Sequence, residues 1–158
     1  MDNLTFDLLK LGNQLCFPMY AASREVIKQY KPFLDELDLT YTQYIAMMLL
    51  WEHKTMTVKE IGNYLYLDSG TLTPLLKKLE AKGFITRARS TKDERNLIIS
   101  ITSEGEALRD RALHIPCEMA KLNPLTLEET TILYHLLNKM LGKQDNGDPD
   151  WKFIENKP

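Results

Sequence analysis

Between residues 58 and 101 the spacing of apolar residues changes period once, and that single change leaves few folds open to the chain. Val58, Ile61 and Leu65 recur at helical spacing in VKEIGNYLYL, and Leu72, Leu75, Leu76 and Leu79 do so in SGTLTPLLKKLEAKG, which stops at Gly83. A tight connection around Leu67 and Asp68 separates the two segments. After Gly83 the period becomes two: Phe84 to Arg89, a polar tip from Ser90 to Asn96, then Leu97 to Ile101. Two short helices followed at once by a β-hairpin make a helix-turn-helix with a wing.

That pattern is built to enter a DNA groove, so charge is the next question. The 158 residues carry a formal net charge of -2, which excludes a uniformly basic nucleic-acid binder. The distribution is uneven, however: residues 54 to 95 hold nine Lys or Arg against five acids, and the remainder sums to -6. A basic module between acidic flanks suits a DNA reader with separate assembly helices. In the second helix the early exposed positions are Ser69, Gly70, Thr71 and Thr73, small residues that let backbone and hydroxyls approach a groove, with Pro74 tolerated in the early turns. Lys77 and Lys78 follow for phosphates, with Arg87, Arg89 and Lys92 on the hairpin. Arg95 at the wing tip is expected in a minor groove, held by Asp93.

The flanks read as helices. Leu15, Met19, Ala22, Val26 and Ile27 predict a helix over about 13 to 30. Pro18 is cheap only in a first turn, so either the helix starts close to Cys16 or a longer one kinks there, with a start near Asn13 or shortly after preferred. Thr40 is the expected N-cap of an apolar helix ending around Glu52. Thr102 or Ser103, followed by glutamate, opens a long helix towards Lys121 with an interruption at Pro116, and Thr126 caps a last helix from Leu127 to Leu141. Beyond it lies a polar tail whose Trp151, Phe153 and Ile154 are candidate docking aromatics. No apolar run approaches the roughly 20 residues needed to span a bilayer, and the opening residues lack the layout of a signal peptide, so the cytoplasm is expected. Two cysteines, neither at metal-ligand spacing with the scattered His53, His114 and His135, give no disulfide framework and no zinc site. No metal and no cofactor is expected.

The stretch DSGTLTPLLKKLEAKGFITRARSTKDERNLIISITSEG resembles the winged helix-turn-helix of the MarR family of transcription regulators, with Asp93 and Arg95 where that family's wing has its Asp-x-Arg signature. The resemblance extends from about residue 13 to 141. The segments NQLCFPMYAASREVIKQY and LTYTQY are similar to the organic-hydroperoxide-sensing, OhrR-like branch, in which a reactive cysteine near the start of the first helix sits among tyrosine hydroxyls partly supplied by the other subunit. Cys16, Tyr20, Tyr30 and Tyr41 match that pattern. A thiolate is the nucleophile that attacks a peroxide oxygen, and helix N-termini favour it. Leu15, Phe17, Met19 and Phe33 are expected to line the site with apolar surface suited to alkyl or lipid hydroperoxides. The resemblance also implies that Cys117 is the resolving thiol of the opposite subunit; if it is not, Cys16 is capped by a small thiol or over-oxidised.

The resulting expectation is a mainly α protein with a small β-wing, a winged helix-turn-helix with N- and C-terminal dimerisation helices. It comprises one domain over residues 1–141, with a DNA-binding lobe at about 54–101, dimerisation helices at about 5–30 and 102–141, and the tail at 142–158. A homodimer then meets a pseudo-palindromic site on double-stranded DNA, as a repressor released when an organic hydroperoxide oxidises Cys16. The alternative is the same fold answering to a small phenolic or other ligand held non-covalently between the dimer helices. An enzyme is not expected, because no second catalytic cysteine motif or thioredoxin-like strand pattern accompanies Cys16.

Overall fold

The computed structural model describes residues 7–93 and 95–143 together with 147 and 149. The tail aromatics Trp151, Phe153 and Ile154, and the first residues of the expected 5–30 helix, lie outside these. By contact the chain divides into two compact units, Met1–Leu113 and His114–Pro158.

The first unit starts with a short 3-10 turn, Leu11–Asn13, and then α1, Cys16–Asp35. The helix reaches five residues further than the periodicity predicts, through Pro32. A proline there forfeits one backbone bond, but Pro32 is exposed and water can serve the Lys28 carbonyl instead. What holds the extra turn is burial: Leu34 is 2% exposed, and Leu37 and Leu39 are buried just beyond the helix end. α2, Tyr41–His53, is capped by Thr40, whose hydroxyl accepts from Gln43 N while Gln43 Oε1 accepts from Thr40 N, a closed capping box. Its Ala46, Met47 and Leu50 are fully buried and form the centre of the core.

A three-residue strand β1, Thr55–Thr57, follows, then α3, Val58–Leu65, and α4, Ser69–Ala81. Thr57 and Asp68 cap these two helices. The turn between them passes through Tyr66 in the left-handed region, φ 56°, and closes by Leu67 N donating to Gly62 O. β2, Ile85–Arg89, and β3, Leu97–Ile101, form the wing, and the antiparallel sheet has the order β1-β3-β2. Thr55 pairs with Ser100 and Arg89 with Leu97. The hairpin stands where the sequence places it; β1 does not announce itself, because three residues show only one buried position, Met56. Ile61, Leu72, Leu76, Leu79, Ile85 and Ile99 close the core beneath α4 and the wing.

The expected long helix after Thr102 is two helices: α5, Ser103–Ala112, which belongs to the first unit, and α6, Ile115–Leu122, which opens the second. Pro116 stands in the first turn of α6, where its missing N–H costs nothing, so it starts a helix rather than interrupting one. The capping box expected at Thr102 is half-formed. Its hydroxyl accepts from Gly105 N at 3.0 Å, but a glycine in the third helical position has no side chain to return the bond. In the second unit Asn123 turns the chain by binding Thr130 and Leu125 N, and α7, Leu127–Met140, begins with a full capping box between Thr126 and Glu129. One face of α7 leaves Ile132, Leu133, Leu136 and Met140 exposed.

Candidate DNA-binding and thiol sites

The cap at Asp68 fixes how α4 meets solvent. Asp68 Oδ1 accepts from Thr71 N at 2.8 Å, and Leu72, Leu75, Leu76 and Leu79 face the core. Ser69, Gly70, Thr71, Thr73, Pro74, Lys77 and Lys78 are thereby turned outward together. The small residues stand at the helix's first turns and the lysines follow, the order expected for a helix that enters a major groove end-on.

At the wing tip Asp93 organises the turn. Its carboxylate accepts from Arg95 N, from Arg95 Nε at 3.0 Å and Nη2 at 3.3 Å, and from Asn96 Nδ2. The Arg95 guanidinium, and next its backbone N–H, hold the Asp93 carboxyl below the usual carboxylate range. Ser90 Oγ accepts from the N–H groups of Lys92 and Asp93 and pins the other side of the turn. The Arg95 side chain remains 90% exposed, so it is oriented without being covered, as the sequence anticipates. Arg89 and Lys92 are exposed on the same hairpin. Arg87 differs: its side chain is only 21% exposed, and Nε and Nη2 each lie 2.7 Å from Glu80 Oε2 on α4. Between α3, α4 and the wing runs a groove of about 540 Å³, with Lys59, Asn63, Ser69, Thr73, Arg87, Arg95 and Asn96 around an apolar floor.

Cys16 is the first residue of α1 and is exposed. Tyr20 stands one turn on, its hydroxyl accepting from Arg24 Nη1 at 2.9 Å, with the Arg24 guanidinium 5.5 Å from the ring centroid. Cys16, Tyr20 and Arg24 thus form one stripe at i, i+4, i+8. Tyr30 and Tyr41 are half-buried against each other with ring centroids 5.0 Å apart. Tyr30 lies fourteen residues along α1 from Cys16, about 21 Å at helical rise. The four expected residues therefore fall into two pairs within one chain, and no single protomer assembles the pocket. Phe17 is exposed next to the thiol. Cys117, exposed on α6, belongs to the second unit.

Sequence reasoning passed over Tyr44, Trp51, Gly105 and Arg24. Tyr44 is 3% exposed and lies 5.9 Å from Tyr30 and 6.1 Å from Trp51, ring to ring. Trp51 Nε1 donates to Gly105 O at 2.8 Å. A Cβ built on Gly105 would stand 2.2 Å from the Phe84 carbonyl oxygen. For Arg24 and Tyr44 a signal existed, the helical spacing from Tyr20 and Tyr41; for Trp51 and Gly105, 54 residues apart, there was none.

Burial, with Tyr30 and Tyr41 close by, pushes the Tyr44 hydroxyl from 10.0 up to about 12. Burial and then Tyr41 raise Tyr30, and burial raises Tyr41. All three remain protonated donors at neutral pH. A raised value means that the folded chain keeps protons that the unfolded chain releases, so this stabilisation is intact below pH 10 and is lost as the pH rises from 10 towards 12. Denaturant melts should show stability falling across that window, in step with tyrosinate absorbance. A constant stability up to pH 12 would contradict the packing of this trio.

Among the described residues no group of three or more His, Cys, Asp or Glu is placed to hold a metal, and no helix is long and apolar enough to cross a membrane. A capped helix-turn-helix with a charged hairpin at its side defines the winged-helix class of DNA-binding proteins. Residues 28–111 match the family described as Transcriptional regulator SarA/Rot. The organic hydroperoxide resistance transcriptional regulator of Bacillus subtilis (strain 168) is 53% identical over 147 residues, 90% of this chain and 99% of that one. A solved structure of reduced AbfR bound to DNA is similar with a TM-score of 0.73 and 34% identity, covering 89% of this chain and 98% of that one. A structure of disulfide-formed AbfR has a TM-score of 0.58 and 35% identity, over 90% of this chain and 97% of that one. AbfR is a protein of Staphylococcus epidermidis. The chain belongs to the SarA/Rot family of MarR-like transcription regulators, in the branch that contains the organic hydroperoxide regulator.

Proposed function

We propose that the protein is a homodimeric repressor that leaves a pseudo-palindromic operator when Cys16 is oxidised by an organic hydroperoxide, and that it acts in the cytoplasm. The observation that carries this reading is the placement of an exposed cysteine as the first residue of α1, with a protonated tyrosine pair where the far part of α1 (Tyr30) meets the start of α2 (Tyr41). About 21 Å of helix separates Cys16 from Tyr30 within one chain, so on this reading Tyr30 and Tyr41 reach the thiol from a second protomer. The apolar residues left exposed on α1, Phe17, Val26 and Ile27, with Leu15 just before it, and the exposed face of α7 support an association that covers them.

The chemistry is a two-electron oxidation. The Cys16 thiolate attacks the terminal peroxide oxygen, the O–O bond breaks, the alkoxide leaves as the alcohol after taking up a proton, and the sulfur becomes a sulfenic acid. Tyr30 and Tyr41 donate hydrogen bonds to the thiolate and to the departing oxygen. A Cys117 thiol of the second protomer then displaces water from the sulfenic acid and forms a disulfide. The B. subtilis relative is named for organic hydroperoxide resistance, which supports the oxidant, and AbfR has been seen in a disulfide form, which supports a disulfide as the end state.

On DNA, Ser69, Gly70, Thr71 and Thr73 meet base edges in the major groove with Pro74 alongside. Lys77, Lys78, Arg89 and Lys92 meet phosphates, and Arg95 enters the minor groove. Binding therefore weakens steeply with salt. Arg95→Ala should lose roughly tenfold in operator affinity with dimerisation intact, by fluorescence anisotropy and sedimentation. Equal affinity removes the wing from recognition. The test of the switch is non-reducing electrophoresis and intact mass after one equivalent of an organic hydroperoxide. A dimer-sized band that disappears in Cys117→Ser supports the resolving step. A sulfenic acid or a small-thiol adduct in both proteins keeps Cys16 as sensor and discards Cys117, and unmodified thiols discard the redox switch altogether.

A further inference from the structure

We infer that Arg87 does not bind DNA but is a positioning residue: clamped by Glu80, it sets the angle between the recognition helix α4 and the wing. The inference rests on the DNA-binding reading above and adds a specificity-determining device to it.

Glu80 stands where two electrostatic rules oppose it. It lies in the last turn of α4, where the helix dipole disfavours a negative charge, and in the lobe that faces polyanionic DNA. An acid at that place needs a compensating partner, and Arg87 supplies it: Nε and Nη2 both lie 2.7 Å from Glu80 Oε2. The contact is half-buried, with side-chain exposures of 21% for Arg87 and 36% for Glu80, and a charge-assisted contact in such a place is stiffer than a surface pair. Arg87 is also the middle residue of β2, fixed opposite Ile99 in the sheet, so its guanidinium is anchored from behind.

The position of the pair gives it leverage. Only Lys82, Gly83 and Phe84 connect α4 to β2, and Gly83, at φ 78°, makes the turn. The ion pair bridges that turn and stands at the vertex of two arms. One arm runs back along α4 to Ser69, eleven residues or about 16 Å at helical rise. The other runs out along β2 to the wing tip with Arg95. A rotation of roughly 10° at the vertex moves the first turn of α4 by about 3 Å relative to the tip, as far as a whole hydrogen-bond length. Arg87 and Arg95 both line the groove between α4 and the wing, so the clamp forms part of the wall against which the two contact elements are spaced.

The two roles for Arg87 predict opposite signs at Glu80. Removing a negative charge from a DNA-facing lobe tightens binding if charge alone matters. Losing a clamp loosens it. The experiment measures affinity and salt dependence for wild type, Glu80→Gln and Arg87→Gln on a duplex that the wild-type protein has selected from a random library. For Glu80→Gln the expected result is roughly fivefold weaker binding with an unchanged slope of log K against log salt, since no phosphate contact has gone. Glu80→Asp keeps the charge but is one methylene short, and it should weaken binding as well; it stands in if Glu80→Gln melts early. Affinity for Glu80→Gln equal to or above wild type overturns the proposal, as does a loss of about one unit of slope in Arg87→Gln, the mark of a lost phosphate contact. If the wild-type protein selects no duplex at all, the DNA-binding reading fails and takes the proposal with it, so the two failures are told apart in the first step.

Discussion

Cys16→Ser should bind operator DNA as tightly as wild type and stay bound when an organic hydroperoxide is added, whereas the wild-type complex dissociates. Serine keeps the size and the first helical position of residue 16, so neither α1 nor the α4 surface changes. What is lost is the sulfur: a hydroxyl neither ionises near neutral pH nor forms a stable bond to a peroxide oxygen. The response should fall from near-complete release to none, the largest functional effect expected of any single substitution in this chain. Gel-shift or anisotropy measurements with increasing hydroperoxide decide the matter. Release of the variant at the wild-type concentration would move the sensing chemistry away from α1.

Gly105→Ala should be the most damaging conservative change to stability. The added methyl would lie 2.2 Å from the Phe84 carbonyl oxygen and 2.8 Å from Ile101 Cγ1, and the first of these is backbone that cannot swing aside. The same turn is held from three directions: Thr102 N donates to Phe84 O, the Thr102 hydroxyl donates to Gly83 O at 2.6 Å, and Trp51 Nε1 donates to Gly105 O. Forcing α5 outward disturbs all of these together. Overpacking of this kind typically costs 1–3 kcal/mol and here should reach about 3 kcal/mol, read as a lowered midpoint in chemical denaturation. A loss below about 0.5 kcal/mol, the range of an ordinary surface change, would mean that α5 is free to shift.

The helix-turn-helix and wing were legible because their cause is local. Leu72, Leu75, Leu76 and Leu79 repeat with the helix, and Ile85 and Ile99 mark the buried face of the hairpin that follows. The caps at Thr40 and Thr126 were legible for the same reason, since cap and partner stand three residues apart. What stayed hidden depends on distant parts of the chain. α1 runs on past Tyr30 because burial of Leu34, Leu37 and Leu39 outweighs one backbone bond lost at Pro32, and neither neighbour is visible from the other's sequence. β1 is a strand because β3 is there to pair with it. Gly105, which reads as an ordinary residue in a capped helix start, is set by Phe84 and Trp51. At the thiol site the residue types were legible from resemblance, but their split into two pairs follows from the length of α1 between Cys16 and Tyr30 and from the packing of Tyr30 on Tyr41. Arg87 reads like the other basic residues of the hairpin, and only its contact with Glu80 distinguishes it.

The bond from Trp51 to Gly105 gives the molecule its own optical gauge. An indole that is half-buried, edge-on to Tyr44 and tied by its N–H to the first turn of α5 emits according to how dry and how polar that corner is. The chain has one other tryptophan, Trp151, which Trp151→Phe removes from the spectrum. With it gone, the colour and lifetime of a single emitter track the seam where α2, α5 and the base of the wing meet, without any dye attached. The passage of the protein between its DNA-bound and released forms can then be timed in a stopped-flow cuvette.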